Sequence, residues 1–219
     1  METKMRDIDI LVTWTPYLLE GLGWNIIISL IATIMGILLG RIFVWIKFRQ
    51  SSISRRAGAV IPALLRGAPT LFLLFYLAIL IPNEISLFDG QITLVVPIWL
   101  KAAFALTASP LAFTAWNLYS SINFWKGGQR GAAMLFIPNC MNGFMITFLA
   151  SSGASLVGVN ELVGRTSTVI KTFDTDYSLI FYSYAACLFL CTALVLKVVV
   201  RRIQKMIEGR FASSLATSN

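Results

Sequence analysis

Five long apolar stretches follow one another along the chain, and shorter segments with charged residues separate them. A helix rises about 1.5 Å per residue, so roughly 20 residues cross the ~30 Å hydrocarbon core of a bilayer. Each stretch is long enough, and the charged residues inside them are confined to Arg41, Arg66, Lys101 and Lys197. The pattern predicts an all-α, polytopic membrane helix bundle forming a single transmembrane domain. Its helices are expected at about 21–46, 57–82, 97–122, 131–156 and 177–200, followed by a basic tail at 201–219.

The composition agrees with a membrane protein and argues against other classes. Hydrophobic residues make up 57% of the chain and charged residues 13%, and the mean hydropathy is +0.77. A soluble domain of this length is far less apolar. The chain has three cysteines, no histidine and no Cys-x-x-Cys spacing, which argues against a disulfide framework and against a metal site. Residues 1–20 mix acidic and basic side chains without an apolar core, so we expect no signal peptide.

The basic residues of the connecting segments predict the orientation of the bundle, because Lys and Arg are retained on the cytoplasmic side. Eleven of them fall on one side of the predicted membrane and four on the other. The amino terminus is therefore expected outside and the carboxyl terminus in the cytoplasm. This distribution accounts for most of the net charge of +8 without nucleic acid. The eleven are Lys47, Arg49, Arg55, Arg56, Lys126, Arg130, Lys197, Arg201, Arg202, Lys205 and Arg210; the four are Lys4, Arg6, Arg165 and Lys171.

Small and polar side chains are spread through the fourth apolar stretch. Small residues let membrane helices approach closely, and hydroxyls bond between them, so a helix buried in the bundle is one interpretation. The other is the lining of a polar translocation path, since tight packing alone does not require an Asn in an uncharged span. The path candidates are Asn142, Thr147, Ser151, Ser152 and Ser155.

Three positions inside other stretches also carry alternatives. Arg66 is costly at mid-membrane unless it is paired or hydrated, which would make it functional. Alternatively, residues 57–65 lie along the cytoplasmic interface and Gly67 and Pro69 separate them from the crossing, so that Arg66 stands at the inner boundary. Lys101 is expected to reach the outer surface. Pro110 is expected to kink the third helix or to take part in gating.

Four strings of residues, in order along the chain, resemble the permease subunits of polar amino acid ABC transporters, the histidine/glutamine/arginine permease family. Arg66-Gly67-Ala68-Pro69 is similar to the Arg-Gly-Thr-Pro segment that opens the family's second core helix. Residues 19–41 resemble its first core helix, and Lys126-Gly127-Gly128-Gln129-Arg130-Gly131-Ala132-Ala133 resembles the Lys-Gly-Gln-x-Glu-Ala-Ala start of the cytoplasmic loop that docks on the ATPase. Residues 142–162 resemble the fourth-helix region and the Val-Pro-Glu-Leu string after it.

The resemblance implies a type I ABC importer subunit in the bacterial cytoplasmic (inner) membrane. Its partners would be a second homologous permease chain, an ABC ATPase dimer, a soluble substrate-binding protein, a polar amino acid and the lipid bilayer. ATP and Mg would be bound by the ATPase partner, and no cofactor is expected in this chain, which has no P-loop string. Transport would proceed by alternating access. An enzyme is not expected, because the five stretches contain neither an acidic residue nor a histidine.

The chain also departs from the family pattern. The glutamate of Glu-Ala-Ala is replaced by Gly131, and the segment from Gln129 to Pro138 is shorter than the family's by roughly twenty residues, about 30 Å of helix. Trp116 and Tyr119 stand near the places of a Glu-x-x-Arg-Gly pattern, and residues 150–153 replace a Lys-Asp-Thr-Ser string. Coupling to an ATPase and direct coordination of a charged substrate are both put in doubt.

Three functions remain open at this point: a divergent permease half with a fuller partner, a permease-derived structural or regulatory subunit without coupling, and an unrelated channel or carrier. The resemblance gives roles to individual residues. Arg66, Gly67 and Pro69 are expected to set the break before the second core helix. Glu161 is expected either to contact the binding protein in the outer loop or to cap a helix. Gly128, Gln129, Ala132 and Ala133 are expected to be the remnant of the ATPase-coupling loop, with an ordinary cytoplasmic turn as the alternative.

Overall fold

The computed structural model describes residues 2–49, 51–87, 92–134, 136–173 and 177–216, and most of these are helical. Apolar helical segments long enough to cross a membrane run over 9–47, 98–126, 131–157 and 178–207, and a bent helix pair can supply a fifth crossing. The predicted polytopic helix bundle of about five crossings is confirmed. In chain order the elements are α1 (Glu2–Lys47), α2 (Ser52–Gly67), α3 (Thr70–Leu80), β1 (Glu84–Leu87), β2 (Ile92–Val95), α4 (Ile98–Leu106), α5 (Ala108–Lys126), α6 (Arg130–Met134), α7 (Phe136–Ser151), a 3₁₀ helix (Ser152–Val157), α8 (Leu162–Thr172) and α9 (Ser178–Ala216).

The first helix is longer than the sequence predicted. It begins at Glu2 rather than near residue 21 and spans 46 residues. Ile10, Trp14 and Leu18 recur at helical spacing and pack in an apolar cluster with α8 and α9. An apolar stripe therefore continues the helix through residues 2–20, where mixed charges interrupt the apolar pattern.

The predicted second helix, 57–82, is two helices. α2 and α3 meet at an angle of 104°. Ala68 at the junction is extended, with φ −74° and ψ 129°, because a residue before proline is disfavoured in the helical region and Pro69 follows it. The alternative in which 57–65 leave the crossing is the one that agrees with this geometry.

The remaining predicted helices are found with changed ends. The third is α4 and α5, joined at Thr107, whose backbone is still helical. Pro110 is the third residue of α5, within the first turn, where a missing N–H is tolerated. The fourth is α6, α7 and the 3₁₀ helix. The fifth, α9, continues to Ala216, so most of the predicted tail is helical; residues 217–219 lie outside the described residues.

A short β-hairpin connects α3 to α4, which an all-α prediction did not include. β1 and β2 are antiparallel, with Glu84 opposite Val95. Lys101 is buried next to the start of this hairpin rather than reaching the outer surface as expected. Its side chain is 2% exposed, and Nζ donates to the carbonyl of Ile81 at 2.6 Å and to Asn83 Oδ1 at 2.7 Å. The lysine thus caps the end of α3, where helix carbonyls lack partners.

Close packing of α1 on α5 holds the centre of the bundle. A Cβ added to Gly36 would lie 2.8 Å from backbone and ring atoms of Leu111 and Pro110, and one added to Gly40 would lie 2.8 Å from Thr114. Glycine is needed at both positions because the helices approach too closely for a side chain. The contact fixes the position of α5 along the axis of α1, and residues of α5 line the cavities of the candidate site.

Candidate functional site

The bend between α2 and α3 brings Arg66 to the side of α5. α2 runs across the bundle rather than along it: Gly58 touches the backbone of Phe43 and Lys47 at the end of α1. Eight positions later the Arg66 guanidinium lies 5.6 Å from the ring centre of Trp116. Both contacts lie at the same end of the bundle, so α2 keeps nearly the same depth along the bundle axis. Gly67 and Pro69 form the bend itself.

Two cavities open on either side of Arg66. One lies towards α3 and α4 and is lined by Leu65, Arg66, Ala68, Thr70, Leu73, Ala105, Ala108, Ser109 and Phe113. The other lies towards the end of α1 and is lined by Lys47, Gly58, Ala59, Pro62, Ala63, Arg66, Ala112, Ala115 and Trp116. Arg66 belongs to both linings, and neither lining contains an acidic residue. The arrangement offers a planar cation with fork-like donors, which suits a carboxylate or phosphate.

The five path candidates do not meet in these cavities. The hydroxyls of Thr147, Ser152 and Ser155 donate to carbonyls of their own helical segment, at 3.0, 3.1 and 3.0 Å. Ser151 is fully buried and donates to the carbonyl of Phe148 at 2.7 Å. Asn142 is exposed and its Oδ1 is 3.5 Å from Gln204 Nε2 on α9. Among the described residues, the candidates therefore act mainly within and between packed helices.

A buried polar network lies about halfway along α1 and includes a residue that the sequence pattern did not single out, Asn25. Its Nδ2 donates to Ser151 Oγ at 3.0 Å and to Glu161 Oε2 at 2.8 Å, and its Oδ1 accepts from the N–H of Leu162 at 3.2 Å. The four residues are fully buried. The signal was present, since Asn25 is an amide in an uncharged span just as Asn142 is. The network ties the first crossing to the fourth and to α8.

Glu161 is a helix cap, and its side chain is not at the surface. Oε2 accepts from the N–H of Val163 at 3.1 Å and Oε1 from that of Gly164 at 3.2 Å. The residue is 0% exposed, so it is not available to a soluble partner in this conformation. Of the two predicted roles, outer-loop contact and cap, the geometry gives the cap. Burial raises the pKa of Glu161, and the hydrogen bonds from Asn25, Val163, Gly164 and Ser155 oppose that rise.

An ion pair clamps the start of α8 onto α1. Arg165 Nη2 and Nη1 bind Glu20 Oε1 and Oε2 at 2.6 and 2.7 Å. Arg165 also donates to the carbonyls of Asn160 and Tyr17, each at 3.1 Å. A Cβ on neighbouring Gly21 would lie 2.8 Å from Arg165 Cδ. Nothing in the sequence pattern pairs Glu20 with Arg165, which stand 145 positions apart.

The predicted remnant of the coupling loop is a capped turn that leads into the fourth crossing. Gly128 has φ +78°, and the N–H groups of Gly128 and Gln129 bind the carbonyls of Trp125 and Phe124 at 3.1 and 2.9 Å. This is the Schellman pattern that ends helices at glycine. α6 then spans 5 residues and includes Ala132 and the buried Ala133. The geometry of 127–129 is that of an ordinary helix-ending turn, and α6 belongs to the helical span over 131–157.

The fold has a counterpart among solved structures. A chain in the crystal structure of an amino acid ABC transporter with histidines superposes with a TM-score of 0.72 at 17% sequence identity. The match covers 90% of this chain and 96% of that chain. No protein-family model and no curated protein matches the sequence. The likeness therefore concerns the fold, which both chains share over nearly their whole lengths.

Proposed function

We propose that this chain is a membrane-spanning permease subunit of an ABC importer that moves polar amino acids across a bacterial cytoplasmic membrane. The observation that carries the proposal is the fold likeness to a chain of an amino acid ABC transporter, which spans almost the whole of both chains. The Arg-Gly-Ala-Pro string supports it further, because it stands at the α2–α3 bend where the resembling family begins its second core helix.

The orientation in this proposal has the amino terminus outside and the carboxyl terminus in the cytoplasm. Support comes from cations and aromatic rings that gather at the end of α1. Lys47 Nζ lies 3.3 Å from the ring centre of Tyr119, Lys126 Nζ 4.6 Å from that of Phe48, and the Arg49 guanidinium 4.4 Å from that of Trp45. Basic residues mark cytoplasmic segments, and amphipathic aromatic rings are common at the membrane interface.

Within this function, the chain supplies a path and moving parts, and separate ATPase subunits bind ATP and Mg. A soluble binding protein delivers the amino acid from outside, and a second homologous permease chain completes the path. Arg66 stands beside two cavities with no acidic neighbour in their linings, so it would attract the carboxylate of a passing amino acid. The Asn25–Glu161 network and the Glu20–Arg165 pair would hold α8 against the outer half of α1 while the cytoplasmic half of α1 moves.

A second candidate function is a permease-derived structural or regulatory subunit that no longer couples to an ATPase. The connection after α5 favours it, because the turn at 127–129 leads directly into the helical span over 131–157 and leaves no separate coupling helix among the described residues. The capped turn at Gly128 and Gln129 is satisfied by its own backbone and needs no partner. Both candidates share the fold, and they differ in whether an ATPase responds to substrate through this chain.

Co-purification followed by an ATPase assay separates the two. The chain is expressed with its neighbouring genes, purified in mild detergent, reconstituted in lipid and assayed with binding protein and single polar amino acids. The importer proposal expects an ATPase and a second permease chain to co-purify, and amino acids to stimulate hydrolysis. Arg66→Gln is expected to reduce that stimulation, whereas Arg55→Gln, an exposed arginine of the same helix, is the matched control.

Two results would contradict the importer proposal. Recovery of the chain without any ATPase would favour the permease-derived subunit. Recovery of a complete complex whose hydrolysis ignores every amino acid tested, with and without binding protein, would favour a regulatory role in the same assembly.

A further inference from the structure

A groove on the side of the bundle lies between α1, α7 and α9, and its lining is almost entirely apolar. On α1 it is formed by Ile26, Leu30, Thr33 and Ile37. The hydroxyl of Thr33 donates to the carbonyl of Ser29 at 2.7 Å, so its hydrogen is already used. The walls on α7 and α9 come from 136–144 and 196–203. Such a groove suits a hydrocarbon chain rather than a polar ligand.

The groove occupies one half of the membrane. From Ile26 to Ile37 the helix rises about 16 Å, close to half of the ~30 Å hydrocarbon core. The α1 wall runs towards Lys47, the α7 wall begins at the first residues of that helix, and the α9 wall lies among the basic residues of that helix. All three walls therefore lie in the half of the bundle that ends in basic residues, which the proposed orientation makes the cytoplasmic leaflet.

A cation stands where the groove ends. Arg41 continues the α1 stripe, following Ile37 by four positions, and it also lines a second depression with Leu38, Ile42 and Trp45. The side chain is exposed, and among the described residues no carboxylate pairs with it. On the facing wall, Arg202 follows the groove residue Val199 by three positions and is exposed as well. Both cations thus lie near the depth at which lipid phosphates begin.

We propose that this groove is a binding site for an anionic phospholipid of the cytoplasmic leaflet. One acyl chain lies along the α1 stripe, and the phosphate binds Arg41 from one side and Arg202 from the other. Basic pockets between membrane helices on the cytoplasmic side recognise anionic headgroups in this way. A lipid fits the groove because it supplies an acyl chain for the apolar walls and, at the end of those walls, the anion that Arg41 lacks among the described residues. The proposal does not depend on transport.

The test is lipid retention by the full-length chain, purified with whatever partners accompany it. Detergent-solubilised protein is incubated with equal amounts of phosphatidylglycerol and phosphatidylcholine, and bound lipid is measured by native mass spectrometry. The wild type is expected to retain phosphatidylglycerol preferentially. Arg41→Gln is expected to lower that retention about fivefold, as for the loss of one basic residue near an anionic surface. Arg55→Gln, which is exposed on α2 and lines neither the groove nor the depression at Arg41, is expected to leave it unchanged.

A second variant tests the apolar part of the site. Leu30→Trp places a larger, aromatic side chain at a groove position that is 44% exposed. The protein is therefore expected to fold, while its retention of phosphatidylglycerol falls. Equal retention of both lipids, equal loss in Arg41→Gln and Arg55→Gln, or full retention in Leu30→Trp would each overturn the proposal. So would cross-linking of Leu30→Cys to a second protein chain in native membranes. Amino-acid-stimulated ATPase activity is measured separately, and its absence would not change the interpretation of phosphatidylglycerol retention.

Discussion

The side-chain amide of Asn25 donates to Glu161 Oε2 at 2.8 Å across 136 positions of sequence. Through this bond the middle of the first crossing holds the cap of α8, and the cap in turn holds the segment that follows the fourth crossing. A single amide thus has three partners on two other parts of the chain, one of them the backbone N–H of Leu162.

Replacing Asn25 by leucine is expected to destabilise the fold. The change keeps the number and branching of the side-chain heavy atoms but leaves the N–H of Leu162 and one oxygen of Glu161 without this partner in a fully buried place. Each such loss costs about 1–3 kcal/mol. At roughly 2–4 °C per kcal/mol, the apparent unfolding temperature in detergent should fall by about 4 °C or more. Asn142→Leu is the control, since Asn142 is exposed and its one described contact is 3.5 Å long; an equal fall in both variants would contradict the network.

The raised pKa of Glu161 predicts a specific pH dependence. Because burial raises this pKa above its ordinary value of 4.5, the folded protein binds the proton more tightly than the unfolded chain. The group's contribution to stability is therefore fully present below pH 4.5 and is lost as pH rises through the folded pKa. Unfolding temperatures of wild type and Glu161→Gln should be compared between pH 4.5 and pH 8.

The difference between the two proteins isolates the residue from other titrating groups. The wild type is expected to gain stability relative to Glu161→Gln as pH falls towards 4.5. Parallel curves for the two proteins over the whole range would mean that Glu161 does not change its protonation there.

The Glu20–Arg165 pair is expected to be specific for arginine. Arg165→Lys keeps the positive charge, but the lysine ammonium group lacks the planar fork of a guanidinium. It therefore cannot bind both carboxylate oxygens of Glu20 and also reach the carbonyls of Asn160 and Tyr17. We expect a lower unfolding temperature for Arg165→Lys than for the wild type, and nearly no further loss when Glu20→Gln is added. Additive losses in the double variant would indicate that the two side chains act independently.

The helix bundle could be predicted from the sequence. The details that depend on contacts between distant parts of the chain could not. Proline restricts its predecessor locally, so the break at Pro69 could be foreseen. The start of α1 depends on a stripe that packs on distant α8 and α9, and Lys101 is buried because the end of α3 offers carbonyls to it. Asn25 carried the same signal as Asn142, but only the fold distinguishes the amide that joins three segments from the one at the surface.

Substitutions of two glycines in the α5–α7 connection test whether this connection has only a structural role or also couples the chain to an ATPase. Gly128 has φ +78°, which an L side chain adopts at a cost of about 1 kcal/mol, so Gly128→Ala is expected to lower the unfolding temperature by roughly 2–4 °C. Gly131 lies in α6 with open space around it, and Gly131→Ala is expected to raise stability slightly, since alanine favours helix by about 1 kcal/mol. If α6 transmits force to or from an ATPase, the stiffer Gly131→Ala helix should also raise amino-acid-stimulated hydrolysis in the reconstituted complex, whereas Gly128→Ala should lower it. A pair of variants that change stability as expected but leave stimulated hydrolysis equal would argue that this connection is only a turn. The coupling would then have to pass through the second permease chain.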